Sequence, residues 1–115
     1  MEIKRLSPGF SVTAQIGRGD IDEIAAKGFR TKVCNRPDRE APDQPSSLQL
    51  AAEAACHGLT FEYIPVVPDH VSDRDARMPA RFLGESPGPA LAFCRTGARS
   101  ERLWQRAGEL ARQTG

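Results

Sequence analysis

The sequence predicts an α/β protein with a mostly parallel sheet flanked by helices, and three observations predict this class. Short apolar segments alternate with segments of helical spacing, in the order strand, strand, then helix and strand three times, then a final helix. The second observation is this order of elements, because strands separated by helices are typical of parallel strands joined by crossover helices. The third observation is composition: 115 residues, 39% hydrophobic and 27% charged, suit one globular domain over residues 1–115.

The predicted elements are bounded by residues that start and stop helices or form turns. The predicted strands are short apolar runs, and they cover residues 3–6, 10–15, 29–35, 60–67 and 89–93. The predicted helices carry apolar residues at helical spacing, and they cover residues 20–27, 46–57, 72–83 and 98–113. Pro79 lies inside the third helix and is expected to kink or end it.

Side-chain types and spacing predict how these helices start and which faces they bury. Asp20 is expected to cap the first helix, with Glu23 completing a capping box, and Ser46 or Ser47 to start the second. The residues predicted to face the core are Ile21, Ile24 and Ala25 in the first helix, Leu48, Ala51, Ala52 and Ala55 in the second, and Leu103, Ala107, Leu110 and Ala111 in the last.

Charge, cysteine and histidine content exclude several classes of function. A net charge of +1 predicts no general attraction to nucleic acid or to an anionic membrane. No apolar run approaches the roughly 18–20 residues that span a bilayer, and the first residues lack the apolar stretch of a signal peptide. Three cysteines predict a reducing, cytoplasmic location rather than a disulfide scaffold. With two histidines and no C-x-x-C pair, we expect neither a metal nor a cofactor.

Three predicted loops meet where the carboxyl ends of parallel strands form a ligand-binding edge. They cover residues 35–40, 65–70 and 94–100. The last of them reads C-R-T-G-A-R-S: a buried strand ends at Cys94, Gly97 permits a tight turn, and a helix begins at once. Such a loop gathers backbone N–H groups and a helix N-terminus around the Cys94 sulfur.

An anion is favoured in that environment, so Cys94 is expected to be a thiolate near neutral pH. Cysteines at helix N-termini have pKa values of about 3.5–7.5. Arg99 is expected to place two N–H groups on two oxygens of an anionic substrate, and the Ser100 hydroxyl to hydrogen-bond the thiolate. This interpretation requires that the sulfur reach solvent and that the surrounding amides point at it.

Further anion-binding residues are expected around this sulfur, namely Arg95, Thr96, Gly97, Ala98 and Arg36. For Arg36 the alternative is an ion pair with Asp38 that braces the loop. Cys34 is expected to be a buried structural thiol, with a resolving thiol for Cys94 as the alternative. Cys56 and His57 are expected to end a helix, His70 to lie in a solvated loop and Trp104 to be a packing anchor or a wall of the crevice.

Four segments of the chain together resemble a known family. They are residues 11–16 (SVTAQI), 35–38 (NRPD), 58–66 (GLTFEYIPV) and the Cys94 loop. Over about residues 2–112 the chain resembles the phosphatase-like domain of beta-lactamase hydrolase-like proteins. The resemblance implies the fold of the dual-specificity protein phosphatases. It also implies a functional link to a sulfide-oxidising enzyme, because this domain occurs alone or fused to such enzymes.

The length of the Cys94 loop bears on which chemistry the resemblance implies. Protein tyrosine and dual-specificity phosphatases carry five residues between Cys and Arg and usually a His before the Cys. Here four residues separate Cys94 from Arg99, and Phe93 precedes the cysteine. The shorter loop is similar to that of rhodaneses, whose ring of amides holds a single sulfur. We therefore expect a sulfurtransferase in which Cys94 takes sulfur from thiosulfate or a persulfide and passes it to a thiol or cyanide.

Two alternatives stay open. One is a phosphatase with a phosphocysteine intermediate, which requires a general acid; Asp69 is the best candidate, followed by Asp38 and Asp73. The other is a non-catalytic module in which Cys94 binds an anion or senses oxidation.

Overall fold

The computed structural model describes residues 2–67 and 88–114, with side chains in the last helix described as far as residue 109. The strands of this part of the chain are β1 Ile3–Ser7, β2 Phe10–Thr13, β3 Thr31–Cys34, β4 Thr60–Tyr63 and β5 Ala90–Phe93. The helices are α1 Asp20–Ala26, α2 Ser47–Cys56 and α3 Ala98–Thr114. Every predicted strand is confirmed, as are three of the predicted helices; the helix predicted over 72–83 lies outside the described residues.

The strands form one sheet in the order β1-β2-β5-β3-β4. Only the hairpin pair β1 and β2 is antiparallel, and the described pairs β2–β5, β3–β5 and β3–β4 are parallel. The mostly parallel α/β class is therefore confirmed. In the register of these pairs Phe93 lies opposite both Thr13 and Cys34, and Cys34 lies opposite Tyr63. The parallel strands consequently end together, and the loops that follow them share one edge.

Apolar residues cover both faces of the sheet. On one face the buried residues are Ile16, Ile21, Ile24, Cys34, Leu50, Ala54, Leu59, Leu91 and Phe93. This set includes the inner sides of α1 and α2, so those helices cover this face. On the other face Trp104 of α3 stacks on Phe10, with ring centroids 4.2 Å apart and an interplanar angle of 7°, which confirms the predicted packing role of Trp104. None of the described helices is long and apolar enough to cross a membrane.

Two predictions about helix starts and faces are wrong. Asp20 does not cap α1: the N-cap is Gly19 in a helical conformation, and the Asp20 carboxylate instead accepts the Gly17 N–H at 2.8 Å. The capping box occurs on α2, where Ser46 and Gln49 exchange side-chain and backbone hydrogen bonds.

The buried face of α2 also differs from the prediction. Leu48 is 80% exposed, and the buried positions are Leu50 and Ala54. Small residues occupy so much of this helix that spacing by itself does not indicate which side meets the sheet. The predicted inward residues of the other helices agree with the structure at Ile21, Ile24, Leu103 and Ala107; the side chains of Leu110 and Ala111 lie outside the described part.

A lysine lies inside the core. Lys32 of β3 has 0% of its surface exposed, and its Nζ has no hydrogen-bond partner among the described residues. Nζ lies 4.3 Å from the centroid of the Phe93 ring, a distance typical of a cation–π interaction. Burial lowers the pKa of Lys32 from its usual value of 10.5 to about 7, although Cys34 and Asp20 oppose the change.

Candidate active site

The Cys94 loop joins the central strand β5 to helix α3. Strand β5 lies between β2 and β3 and its residues are fully buried, so it holds Cys94 at a fixed place on the carboxyl edge of the sheet. Gly97 has a φ of 94°, and a β-carbon there would lie 3.4 Å from the carbonyl oxygen of Thr13. Glycine therefore permits the loop to turn closely against the end of β2. Helix α3 begins at the next residue, Ala98.

Backbone N–H groups of this loop point at the Cys94 sulfur. The Gly97 N–H donates to Sγ at 3.0 Å. Burial raises the pKa of Cys94, but hydrogen bonds from the loop backbone outweigh burial, and the pKa lies below its usual value of 9.0. The donors, in order of decreasing effect, are the N–H groups of Ser100, Thr96, Arg99 and Gly97. The direction of this shift agrees with the predicted thiolate.

Solvent access to the sulfur differs from the expectation. Cys94 has 0% of its surface exposed, so the expectation that its sulfur reaches solvent is wrong for this conformation. A cavity of about 490 Å³ lies against the loop, lined by Arg36, Glu40, Ala41, Pro42, Arg95, Thr96 and Arg99. Attack by this sulfur on a substrate therefore requires that the sulfur become accessible.

Arg99 lines this cavity and contacts the Cys94 sulfur. A carboxylate holds its guanidinium in place. Its Nη1 and Nη2 atoms donate to the two carboxylate oxygens of Glu40, at 2.7 and 2.8 Å. Nη1 also donates to the carbonyl oxygen of Val66 at 2.9 Å. The hydrogen bonds with Glu40 raise the pKa of Arg99 most, and the Cys94 sulfur raises it further. The same hydrogen bonds lower the pKa of Glu40, so both groups are charged at neutral pH.

Arg36 joins this pair, and its predicted pairing with Asp38 is wrong. Its Nε donates to Glu40 at 2.9 Å and its Nη1 to the Gln15 side-chain oxygen at 3.0 Å. The Asp38 carboxylate instead accepts the backbone N–H and the hydroxyl of Ser47, both at 2.7 Å. Both carboxylate oxygens of Asp38 are thus used at the start of α2, which leaves this residue a poor choice for a general acid.

The other residues of the Cys94 loop differ in how exposed they are and in what they contact. The Ser100 side chain is buried, and its Oγ has no hydrogen-bond partner among the described residues. The backbone N–H of Ser100, rather than the predicted hydroxyl, acts on Cys94. Arg95 and Thr96 are exposed and line the cavity, as a role in binding an anion requires. Ala98 is exposed at the first position of α3.

The structure favours a structural role for Cys34. Its thiol is buried and donates to the carbonyl oxygen of Arg36 at 3.3 Å. Burial raises the pKa of Cys34 to about 11, so this thiol stays protonated and is a weak nucleophile. As predicted, Cys56 ends α2 and His57 follows it. Asp69, His70 and Asp73 lie outside the described residues.

Sequence reasoning missed the residues that hold Arg99. In the sequence, Glu40 belongs only to a predicted loop and Gln15 only to a segment that resembles the family. The Val66 contact is made by a backbone carbonyl, so its side-chain type does not predict it. An acid four residues after Arg36, in a loop expected to face the sulfur, was the available indication for Glu40. Among the described residues, no cluster of histidine, cysteine and carboxylate side chains is arranged to hold a metal ion.

Comparison with known proteins gives the family. Residues 2–111 match the family model for the beta-lactamase hydrolase-like protein, phosphatase-like domain. The beta-lactamase hydrolase-like protein of Agrobacterium fabrum is 29% identical over 104 residues, which cover 90% of this chain and 24% of that protein. This chain therefore spans about a quarter of the length of that curated relative.

Solved structures agree. A candidate phosphatase from Neisseria meningitidis is 35% identical with a TM-score of 0.86, over 95% of this chain and 79% of that one. A DUF442 candidate phosphatase from Shewanella putrefaciens, 14% identical, shares the fold with a TM-score of 0.80 over 96% of this chain and 69% of that one. These findings support the phosphatase alternative better than sulfur transfer. The chain belongs to the family of phosphatase-like domains of beta-lactamase hydrolase-like proteins.

Proposed function

We propose that this chain is a cysteine-dependent phosphatase that acts on a small phosphate monoester. The observation that carries the proposal is the Cys94 sulfur, surrounded by four backbone N–H groups that lower its pKa and adjoined by the Arg99 guanidinium. A ring of amides around a thiolate also suits an oxyanion bonded to that sulfur, because the same donors stabilise negative charge on either. The family and the Neisseria meningitidis structure support this choice.

Each step of the reaction has a group to carry it. The Cys94 thiolate attacks phosphorus, the bond from phosphorus to the leaving oxygen breaks, and a phosphocysteine forms. The leaving oxygen takes a proton from a general acid, for which Asp69 remains the proposed residue. Water then attacks phosphorus, inorganic phosphate leaves, and the thiolate is restored. Arg99 and Arg95 stabilise the phosphoryl oxygens throughout.

Hydrolysis of p-nitrophenyl phosphate tests the proposal. We expect turnover by the wild type, loss of turnover in Cys94→Ser and in Arg99→Ala, and unchanged turnover in Cys56→Ser, whose exposed cysteine lies away from the site. Intact-mass analysis of protein quenched in acid is expected to show a gain of about 80 Da on Cys94, the mass of one phosphoryl group. Turnover that survives Cys94→Ser, or a wild-type Cys94 that iodoacetamide cannot alkylate in the folded protein, would refute the proposal.

Sulfur transfer is the second candidate, and the length of the loop favours it. Only four residues separate Cys94 from Arg99, which suits the retention of one sulfur atom rather than three phosphoryl oxygens. In this reaction the Cys94 thiolate bonds to the outer sulfur of thiosulfate, the sulfur–sulfur bond of the donor breaks, and sulfite leaves with its electron pair. Cyanide then takes the outer sulfur as thiocyanate and restores the thiolate. After incubation with thiosulfate, a gain of about 32 Da on Cys94 would favour sulfur transfer, and no gain would exclude thiosulfate as the donor.

A further inference from the structure

A partly buried cluster of two arginines and one carboxylate lies beside the sulfur. Glu40 accepts from Arg99 through both carboxylate oxygens, at 2.7 and 2.8 Å, and from Arg36 Nε at 2.9 Å. The exposed fractions of the three side chains are 11% for Arg99, 7% for Arg36 and 19% for Glu40. Arginine–carboxylate pairs that share two hydrogen bonds have a defined geometry, so Glu40 fixes the orientation of Arg99. We call these three residues the Arg–Glu–Arg cluster.

The cluster is linked through Gln15 to the segment after β2 and to the Cys94 loop. Arg36 also donates to the Gln15 side-chain oxygen, and the backbone N–H of Gln15 donates to the carbonyl oxygen of Arg95 in the Cys94 loop. Arg39, just before Glu40, has a φ of 67°, a left-handed conformation that costs a non-glycine residue free energy. The loop after β3 is therefore held in an unfavourable backbone conformation beside the site.

Arg99 uses the two edges of its guanidinium differently. One edge binds Glu40 and the carbonyl oxygen of Val66, and the other lies toward the Cys94 sulfur. A guanidinium has five N–H groups. Glu40 and the carbonyl of Val66 together take both protons of Nη1 and one of Nη2. The Nε proton and the second Nη2 proton remain, and the side chain also hydrogen-bonds the Cys94 sulfur. This side-on edge therefore faces the atom to which a phosphoryl group would be bound, and it suits two oxygens of that group.

We propose that Glu40 and Arg36 are positioning residues that hold Arg99 with its side-on edge toward the Cys94 sulfur, where the oxyanion of the substrate binds. The proposal rests on the proposed function, because it assumes that Arg99 binds an anion during the reaction. Glu40 fixes the far edge of the guanidinium, and Arg36 in turn fixes Glu40. A competing role is that Glu40 merely occupies Arg99 and must be displaced by the substrate.

The two roles predict opposite effects of removing the negative charge. Glu40→Gln makes the cavity more positive by one unit. If Glu40 competed with the substrate, the variant would bind an anion more tightly. If Glu40 positions Arg99, the variant binds an anion more weakly in spite of the added positive charge, because the guanidinium loses its orientation. The sign of the change in affinity therefore distinguishes positioning from competition.

Inorganic phosphate is the probe for this test, with its dissociation constant measured by calorimetric titration of the full chain. We expect Glu40→Gln to weaken binding about tenfold, the size of one lost charged hydrogen bond at the lower end of its range. The matched control is Glu53→Gln, which breaks an exposed ion pair with Arg18 of similar length, 2.8 Å. This control is expected to leave the phosphate affinity unchanged.

Glu40→Asp changes the length of the side chain and keeps its charge, so it tests geometry alone. It also replaces Glu40→Gln in this test if that variant does not fold. It keeps the negative charge but is too short to bridge both arginines, so weaker phosphate binding is again expected. Arg36→Met should lower phosphate affinity and kcat/KM, and combining it with Glu40→Gln should add little, because both changes release the same group. The iodoacetamide reactivity profile of Cys94 against pH should not move with Arg36→Met, because the backbone amides hold the thiolate.

The outcomes separate this proposal from the one on which it rests. Phosphate affinity that is equal or tighter in both Glu40→Gln and Glu40→Asp would overturn the positioning role and leave the proposed phosphatase intact. A wild type that binds no phosphate would overturn both. Loss of phosphate affinity in the Glu40 variants, with none in Glu53→Gln, supports the positioning role even if the turnover assay identifies sulfur transfer as the reaction.

Discussion

Replacing the buried lysine of β3 should stabilise the protein. Lys32 has no exposed surface, and its Nζ has no hydrogen-bond partner among the described residues. Methionine has a side chain of similar length without the charge, so Lys32→Met keeps the volume and removes the cost of burying an ammonium group. We expect the variant to be more stable than the wild type at neutral pH.

The magnitude follows from the pKa of this lysine. Burial lowers it from 10.5 to about 7, so above pH 7 the unfolded chain binds more protons than the folded one, and stability rises with pH up to about 10.5. At about 1.4 kcal/mol per pKa unit, the penalty is roughly 5 kcal/mol below pH 6 and roughly 1.5 kcal/mol at pH 9.5. The contact with Phe93 offsets about 2 kcal/mol of this while the lysine is charged. The expected gain from Lys32→Met is therefore about 3 kcal/mol at pH 6, falling to roughly 1.5 kcal/mol at pH 9.5, where the folded lysine is uncharged and the Phe93 offset no longer applies.

Urea unfolding followed by circular dichroism at pH 6, 7.5 and 9.5 measures this difference. The matched control is Lys27→Met, which removes an exposed lysine at the end of α1 and should change stability little at any of these values. If Lys32→Met is less stable than the wild type, or if its advantage is the same at pH 6 and pH 9.5, then Lys32 is not buried as a charge and the reasoning is wrong.

Four other predictions concern the site and its supports. The alkylation rate of Cys94 by iodoacetamide should level off below pH 9.0, because the amide ring lowers its pKa; a rate that still rises above pH 9.0 contradicts this. Gly97→Ala should lower the free energy of unfolding by about 1–2 kcal/mol and slow that alkylation at pH 7, because alanine is strained at a φ of 94°; Gly9→Ala, with open space around it, is the control, and equal losses would refute the reasoning. Ser46→Ala should cost about 1 kcal/mol in urea unfolding through loss of the α2 capping box, and no loss would mean that the cap is not formed. Asp69→Asn should reduce hydrolysis of p-nitrophenyl phosphate sharply if it is the general acid, whereas sulfur transfer from thiosulfate should persist.

The hydrophobic pattern was enough to predict the order of the elements. Each described strand contains apolar residues, and β-branched and aromatic residues mark Thr60–Tyr63 in particular. The small-residue helix α2 shows where this reasoning ends: alanines on several sides look alike in the sequence, and only packing shows that Leu50 and Ala54 face the sheet while Leu48 does not.

The site was predictable to the extent that its chemistry is local. Cys94, the turn at Gly97 and the helix that follows are consecutive, so the amides around the sulfur follow from the loop itself. The partners of Arg99 are distant in the chain: Glu40 lies 59 residues earlier and the carbonyl of Val66 lies 33 residues earlier. Neither contact can be predicted from the spacing of residue types along the sequence.

From the sequence by itself came the α/β class, the burial of the strand that ends at Cys94 and the tendency of its thiol to ionise, because each depends on neighbours within a few residues. The tertiary structure decided the rest: that Glu40 rather than Asp38 meets Arg36, that an arginine is held between a carboxylate and the sulfur, and that a lysine lies in the core. The first two contacts depend on which loops the parallel strand register brings to one edge of the sheet. The burial of the lysine depends on how the helices and the sheet pack. Electrostatic interactions of this kind act through space, so they are determined only once distant parts of the chain are in contact.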